Sequence, residues 1–133
     1  MNAAAEAVET VRRSVVLLVE DEVLVRTIAA ESLRDQGFRV IEAASAMEAR
    51  AVLISGATVD VVFTDWQLPG DMNGVELARW IDREHPGIAL LLTSGVGYVA
   101  DWAPLIPRTS FFAKPYSPED VAARIRSLVS GQR

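Results

Sequence analysis

Residues 15–26 read VVLLVEDEVLVR. The first part, VVLLVE at 15–20, is a run of β-branched and leucine residues without polar alternation. Such a run suits a strand covered on both faces. Glu20, Asp21 and Glu22 then stand side by side where that strand should end. Adjacent like charges repel, so their placement calls for a cause.

Outward from this stretch, apolar runs of strand length alternate with segments of helical period. FRVIEA (38–43), VDVVFTD (59–65), IALLLTS (88–94) and SFFAK (110–114) are the further strand candidates. After the first strand, Val25, Ile28, Ala29, Leu33 and Gln36 fall at helical spacing, and Gly37 supplies a stop. Three later helices open with capping-box spacing: Ser45 with Glu48, Asn73 with Glu76, and Ser117 with Asp120. Pro118 occupies the favoured first helical position, and Val121, Ile125, Leu128 and Val129 form one stripe behind it. Pro104 and Pro107 allow only a short or irregular helix over 95–109. Strand and helix alternating about five times imply a parallel sheet with helices on both faces.

Composition narrows the function classes. The chain has 133 residues, half of them hydrophobic and 23% charged, which is globular composition sufficient for one domain. Its net charge of −5 argues against direct nucleic-acid binding, which favours basic surfaces. The absence of cysteine removes disulfides, thiolate metal sites and cysteine nucleophiles, and it fits a cytoplasmic location. No apolar run reaches the roughly 18–20 residues that span a bilayer, so no membrane association is expected. MNAAAEAVETVRRS (1–14) lacks the apolar core of a secretory signal, and residues 1–13 read as a tail.

In an open parallel sheet, ligands bind at the carboxyl ends of the strands. Reading those ends in order gives Glu20 and Asp21, then Asp65, then Thr93, then Lys114. The second strand ends in Ala43 and Ala44 and contributes no chemistry. Three acids, a hydroxyl and a lysine are thereby brought to one edge. Clustered carboxylates tolerate each other when a cation sits among them, and a hard ion such as Mg²⁺ takes oxygen ligands. A nucleophilic carboxylate, a metal, a fixed cation and a hydroxyl donor are the parts of a phosphoryl-transfer site. Individually each residue has a plainer explanation: an acid favoured by a helix dipole, a turn aspartate, a strand threonine, a solvated lysine, and Glu22 reads as a first-turn residue of the helix that follows.

The segments LLVEDE, VVFTDWQLPGDMNGVELA, LLLTSG and FFAKPYSPEDV together resemble the receiver domains of two-component response regulators. The resemblance covers about residues 14–130, with 131–133 as a short tail. It implies a flavodoxin-like doubly wound (βα)₅ fold with five parallel strands in the order 2-1-3-4-5. It also implies that Asp65 is the phospho-acceptor and Asp21 a Mg²⁺ (or Mn²⁺) ligand. Glu20 would be the second pocket acid, and the backbone carbonyl of Gln67 and Asp65 itself would be further ligands. Thr93 and Lys114 would hold the phosphoryl group, and Phe111 takes the place of the family's switch aromatic. The bond before Pro115 would be cis. A histidine kinase or histidine phosphotransfer protein would be the donor, with an unidentified protein as downstream target. The domain would catalyse only its own aspartyl phosphorylation and dephosphorylation.

Departures from the family pattern concern signalling more than the acceptor. The loop DWQLPGDMNG (65–74) looks one residue longer than usual, with Asn73 where an acid often stands. Phe111 has no hydroxyl, so a switch there would work by packing. The irregular 95–109 segment unsettles the usual output face, and a homodimer through it stays open. Of the tryptophans, Trp66 reads as a loop aromatic or a gate to the site, Trp80 as a cover beside the helical stripe, and Trp102 as an anchor or a partner contact. His85, at a helix end, suits the dipole there and is not read as a relay residue. A metal-dependent phosphohydrolase on the same fold is the competing class, disfavoured because no second acid pair is present. A nucleotide or flavin binder is disfavoured by the absence of glycine-rich phosphate loops.

Overall fold

The computed structural model describes residues 13–94, 109–114 and 116–131, with the backbone alone at Ser94, Phe111, Ala113 and Gly131. Along the chain these form β1 (Val15–Val19), α1 (Val23–Asp35), β2 (Arg39–Ala43), α2 (Ala46–Ile54), β3 (Val61–Asp65), α3 (Gly74–Glu84), β4 (Ala89–Ser94), β5 (Ser110–Ala113) and α4 (Pro118–Gly131). The five strands make one sheet in the order β2-β1-β3-β4-β5, as the resemblance implied. Every neighbouring pair is parallel.

The period-2 geometry of a strand explains the two cores. Leu17 and Val19 of β1, Val62 of β3 and Leu90 and Leu92 of β4 face α2 and α3, where they meet Leu53, Leu77, Ala78 and Ile81. The intervening Val16, Leu18, Val61, Phe63 and Leu91 face the other way, against Ala30, Leu33, Val121 and Ile125 of α1 and α4. All five residues of β1 are buried, as a strand covered on both faces requires. Each large aliphatic chain so placed contributes about 1.5–3 kcal/mol relative to exposure.

The helix starts follow the sequence signals. Asn73 accepts from the Glu76 N–H at 2.8 Å while Glu76 accepts from the Asn73 N–H at 2.9 Å, a complete capping box. Ser45 caps α2 through the Glu48 N–H at 3.1 Å, and Ser117 caps α4 through the Asp120 N–H at 3.2 Å. The stripe of α4 is as read, with Val121, Ile125 and Val129 buried.

Helix α1 differs from the expectation in two respects. Glu22 is its N-cap residue, in extended conformation, and not a member of the first turn. The buried face runs through Ala30 and Leu33, while Val25 and Ile28 are 39% and 67% exposed. The stripe was misplaced because its inward row (26, 29, 30, 33) begins with Arg26. That side chain is only 17% exposed, lying along the sheet with its guanidinium on polar partners.

No helix among the described residues is long and apolar enough to cross a membrane. Of the segment 95–109 expected to be short or irregular, all but Thr109 lies outside the described residues, Trp102 included, as do residues 1–12 and 132–133, the peptide bond to Pro115 and the Phe111 side chain.

Candidate functional site

At the carboxyl end of the sheet, β3 stops at Asp65 and β4 lies beside it, with Asp65 and Thr93 as register partners. The Trp66 N–H extends this pairing by donating to the Thr93 carbonyl at 3.0 Å. On the far side the Gly74 N–H donates to the Trp66 carbonyl at 2.9 Å, tying the start of α3 to the same peptide. The backbone around Asp65 is thus held from both flanks. Gly74 is required here: a Cβ would run into the Asp65 carbonyl oxygen and come within 2.5 Å of the Trp66 Cα.

The carboxylate of Asp65 has both oxygens engaged. Oδ1 accepts the Gln67 N–H at 3.0 Å, and Oδ2 accepts the Lys114 ammonium at 2.6 Å. A charge-assisted contact this short, with Asp65 only 11% exposed, aims the carboxylate at the lysine. Burial alone would lower the Lys114 pKa, but the hydrogen bond to Asp65 and the charges of Asp65 and Glu20 outweigh it. The ammonium is therefore held above its ordinary value.

Glu20 is buried, 8% exposed, while Asp21 beside it is exposed. The Glu22 N–H donates to Glu20 Oε2 at 3.1 Å. Burial is the main cause that raises the Glu20 pKa, and contacts with the Asp21 and Asp65 carboxyls add to it. The Glu22 N–H and Lys114 oppose the rise without cancelling it. The three acids named from the strand ends are thus close enough to feel one another, and one of them is driven toward its protonated form.

That strain tests the fit of a cation. Among the described residues, no three His, Cys, Asp or Glu side chains are grouped so that they alone could hold a metal ion. Mg²⁺ does not need one, since it binds through one or two carboxylates and keeps several waters. An all-oxygen set from Glu20, Asp21, Asp65 and the Gln67 carbonyl has the right chemistry, and a cation there would offset the burial and the neighbouring carboxyls that raise Glu20.

Thr93 is buried next to the acceptor, and Lys114 is half exposed at its rim. Glu20, Asp65, Thr93 and Tyr116 line one small pocket together with Val25 and Ala29. Glu20, Asp65 and Thr93, chosen from three strand ends, thus share one pocket, Lys114 joins them through Asp65, and Asp21 stands exposed beside Glu20.

Three participants escaped the sequence reading. Tyr116 packs edge-on against Phe63 at 5.7 Å, and its burial raises its pKa and keeps the phenol neutral beside Lys114. An aromatic two residues past the strand-end lysine was the available signal. Arg26 donates to the Glu20 carbonyl at 2.9 Å and pairs with Glu42 at 3.3 Å, bracing the end of β1. Gly74 was read only as part of a loop.

Trp66 is half-buried and packs against the α2–α3 core, which favours the loop-aromatic reading. Trp80 covers its neighbours as expected, with the Arg50 guanidinium 5.3 Å from its ring and the His85 ring at 5.2 Å. His85 is the C-cap of α3, a structural position.

Comparison with known proteins agrees with this arrangement. The chain is 35% identical over 122 residues to the sensor kinase CckA of Brucella abortus, covering 88% of this chain and 13% of that protein. It is 29% identical over 118 residues to the phosphate regulon transcriptional regulatory protein PhoB of Pseudomonas aeruginosa, covering 86% of this chain and 51% of that protein. The chain thus spans about half or less of these curated relatives. Among solved structures, a response regulator receiver protein from Sinorhizobium medicae superposes with a TM-score of 0.83 at 24% identity, covering 92% of this chain and 99% of that one. NtrX from Brucella abortus superposes with a TM-score of 0.80 at 27% identity, over 91% of this chain and 28% of that one. The family model described as the response regulator receiver domain matches residues 16–126, and the chain belongs to that family.

Proposed function

We propose that the chain is a phosphorylation-dependent switch that accepts a phosphoryl group on Asp65 from a histidine kinase or histidine phosphotransfer protein. One observation carries this reading: the Asp65 carboxylate stands at the end of β3 with the Lys114 ammonium at 2.6 Å, beside Glu20, whose pKa stays raised although Lys114 and the Glu22 N–H oppose the rise.

A carboxylate oxygen of Asp65 forms the new O–P bond as the donor's N–P bond breaks. The departing imidazole keeps the electron pair and takes up a proton. Lys114 stays within reach of the transferred group and pairs with one of its oxygens. The Thr93 hydroxyl, on the neighbouring strand, donates to another. Gln67 N–H keeps the acceptor oriented through Oδ1. Glu20, Asp21, Asp65 and the Gln67 carbonyl would hold Mg²⁺, which when bound supplies charge neutralisation between the carboxylates and the phosphoryl oxygens. The product stays on the chain, so the reaction serves signalling and not turnover. Movement of Thr93 toward the phosphate, with repacking at Phe111, would change the surface that a downstream protein reads.

The donor would approach over α1. Val23, Leu24 and Ile28 are exposed apolar residues there, and Val25 and Ala29 line both the acceptor pocket and an adjoining groove with Tyr116. A protein partner covering that patch would bring a phosphohistidine to Asp65.

The test is to add Mg²⁺ and then beryllofluoride, a phosphoryl mimic, while following tryptophan emission, with Trp66→Phe as the control for assignment. A response abolished by Asp65→Asn supports the switch. Absence of any Mg²⁺-dependent response in the unaltered protein refutes it, and turnover of a phosphoester substrate favours a phosphohydrolase.

A further inference from the structure

The opposite end of the sheet carries a second concentration of charge. Arg13 precedes β1, Arg39 opens β2, and Arg34 lies in the last turn of α1. The Arg39 N–H donates to the Ser14 carbonyl at 3.0 Å, so the two strand starts are locked together. These three arginines rim a cleft of about 620 Å³ along the open edge of β2. Ligand sites commonly fall between about 300 and 1,000 Å³. The cleft sits roughly 15 Å, one strand length, from Asp65.

Two acids stand beside these three arginines: Glu42 pairs with Arg34, and Asp60 Oδ2 accepts the N–H of the cleft residue Val15 at 2.8 Å. The chain as a whole is acidic, with 18 Asp and Glu against 13 Lys and Arg. Yet among the described residues neither Arg13 nor Arg39 makes an ion pair. Arg34 donates to Glu42 at 3.2 Å and to the Val40 carbonyl at 3.1 Å. Glu42 is itself shared with Arg26 at 3.3 Å, so one carboxylate serves two guanidiniums. A further guanidinium, Arg126, lies 5.5 Å from the ring of Phe38, a buried cleft residue.

We propose that this cleft binds a small organic molecule bearing a diphosphate group. Guanidiniums grip phosphate through paired, fixed donors, which ammonium groups do not offer. Arg13 and Arg39 line the cleft without an ion pair among the described residues, and Arg34 keeps donors beyond those spent on Val40 and Glu42. Phe38 and the half-buried Val40 and Ile41 give the floor an apolar portion, suited to the organic part of the ligand. An extended nucleic acid is a poorer match, because the surrounding acidic surface would repel its remaining phosphates. The grip is by side chains at a strand edge, so the missing glycine-rich loops do not bear on it.

The experiment uses the whole chain in EDTA, which silences metal-dependent anion binding at Asp65. Inorganic pyrophosphate and ADP are titrated at constant ionic strength by calorimetry, and backbone amide shifts locate the site. The expected result is saturable binding that perturbs Arg39 and Thr58, is at least about tenfold weaker in Arg13→Gln/Arg39→Gln, and is unchanged in Asp65→Asn. ADP should bind more tightly than pyrophosphate, since only ADP reaches the apolar floor. The double variant should keep its beryllofluoride response with Mg²⁺, so failure here is separable from failure of the phospho-acceptor reading. Equal binding by the double variant, shifts confined to Lys114 and its neighbours, or equal displacement by chloride would each overturn the proposal.

Discussion

Gly74→Ala puts the geometry around the acceptor to a quantitative test. Gly74 is the first residue of α3 and is fully buried against the peptide that carries Asp65. In an unhindered helix the change would stabilise by up to about 1 kcal/mol, because alanine restricts the unfolded chain and favours helix. Here the new methyl meets backbone: the Asp65 carbonyl oxygen, the Asp65 carbonyl carbon at 2.9 Å and the Trp66 Cα at 2.5 Å. Backbone cannot rotate aside as a flexible side chain can, so α3 or the end of β3 must shift. Such overpacking costs about 1–3 kcal/mol. The net expectation is a loss of about 1–2 kcal/mol, or a Tm lower by roughly 3–10 °C for a domain of this size. The same shift should loosen the Gly74 N–H to Trp66 carbonyl bond at 2.9 Å and displace Asp65 from Lys114. Urea unfolding of the two proteins measures the stability, and beryllofluoride titration with Mg²⁺ measures the site. An alanine variant as stable as the parent, or more so, with an unchanged beryllofluoride midpoint, would refute the close-approach argument.

Two further outcomes follow from the same geometry. Glu20→Gln in EDTA should raise the unfolding midpoint at neutral pH. A carboxyl whose pKa is raised by folding favours the native state below its unfolded pKa and loses that contribution as pH rises through the folded value. The advantage of the glutamine should therefore shrink on acidification and vanish once Glu20 is protonated in both states, and an advantage independent of pH would contradict burial as the cause. Asn73→Ala should cost about 1 kcal/mol in urea unfolding, because it leaves the Glu76 N–H without its 2.8 Å partner, and no loss would mean that the capping box is idle.

Much of this architecture was legible in the chain because local and tertiary demands agree. The unbroken run at 15–19 gave a two-face buried strand, and Ser45, Asn73 and Ser117 marked helix starts that the structure keeps. The convergence of Asp65, Thr93 and Lys114 could be read because a parallel sheet sends every strand's carboxyl end to one side. Helix α1 was less legible, since Val23, Leu24, Val25, Ile28, Ala29, Ala30 and Leu33 surround it with apolar residues. Spacing alone does not choose a face there, and the residue that completes the inward row is Arg26, a polar one by type. Glu22 shifted from first turn to N-cap because helix boundaries depend on a single peptide's torsion. Tyr116 and Gly74 escaped because their roles are contacts across the fold: one with Phe63, the other with the backbone of the acceptor.

The switch proposed above requires Asp65 to be the nucleophile of a self-directed phosphoryl transfer. Intact-protein mass spectrometry after incubation with Mg²⁺ and a small phosphoryl donor, acetyl phosphate or phosphoramidate, tests it most directly. The prediction is a single added phosphoryl group that maps to Asp65, requires Mg²⁺ and is lost with time, and that never forms on Asp65→Asn. An adduct of equal yield on Asp65→Asn, or one that forms equally well in EDTA, would contradict it.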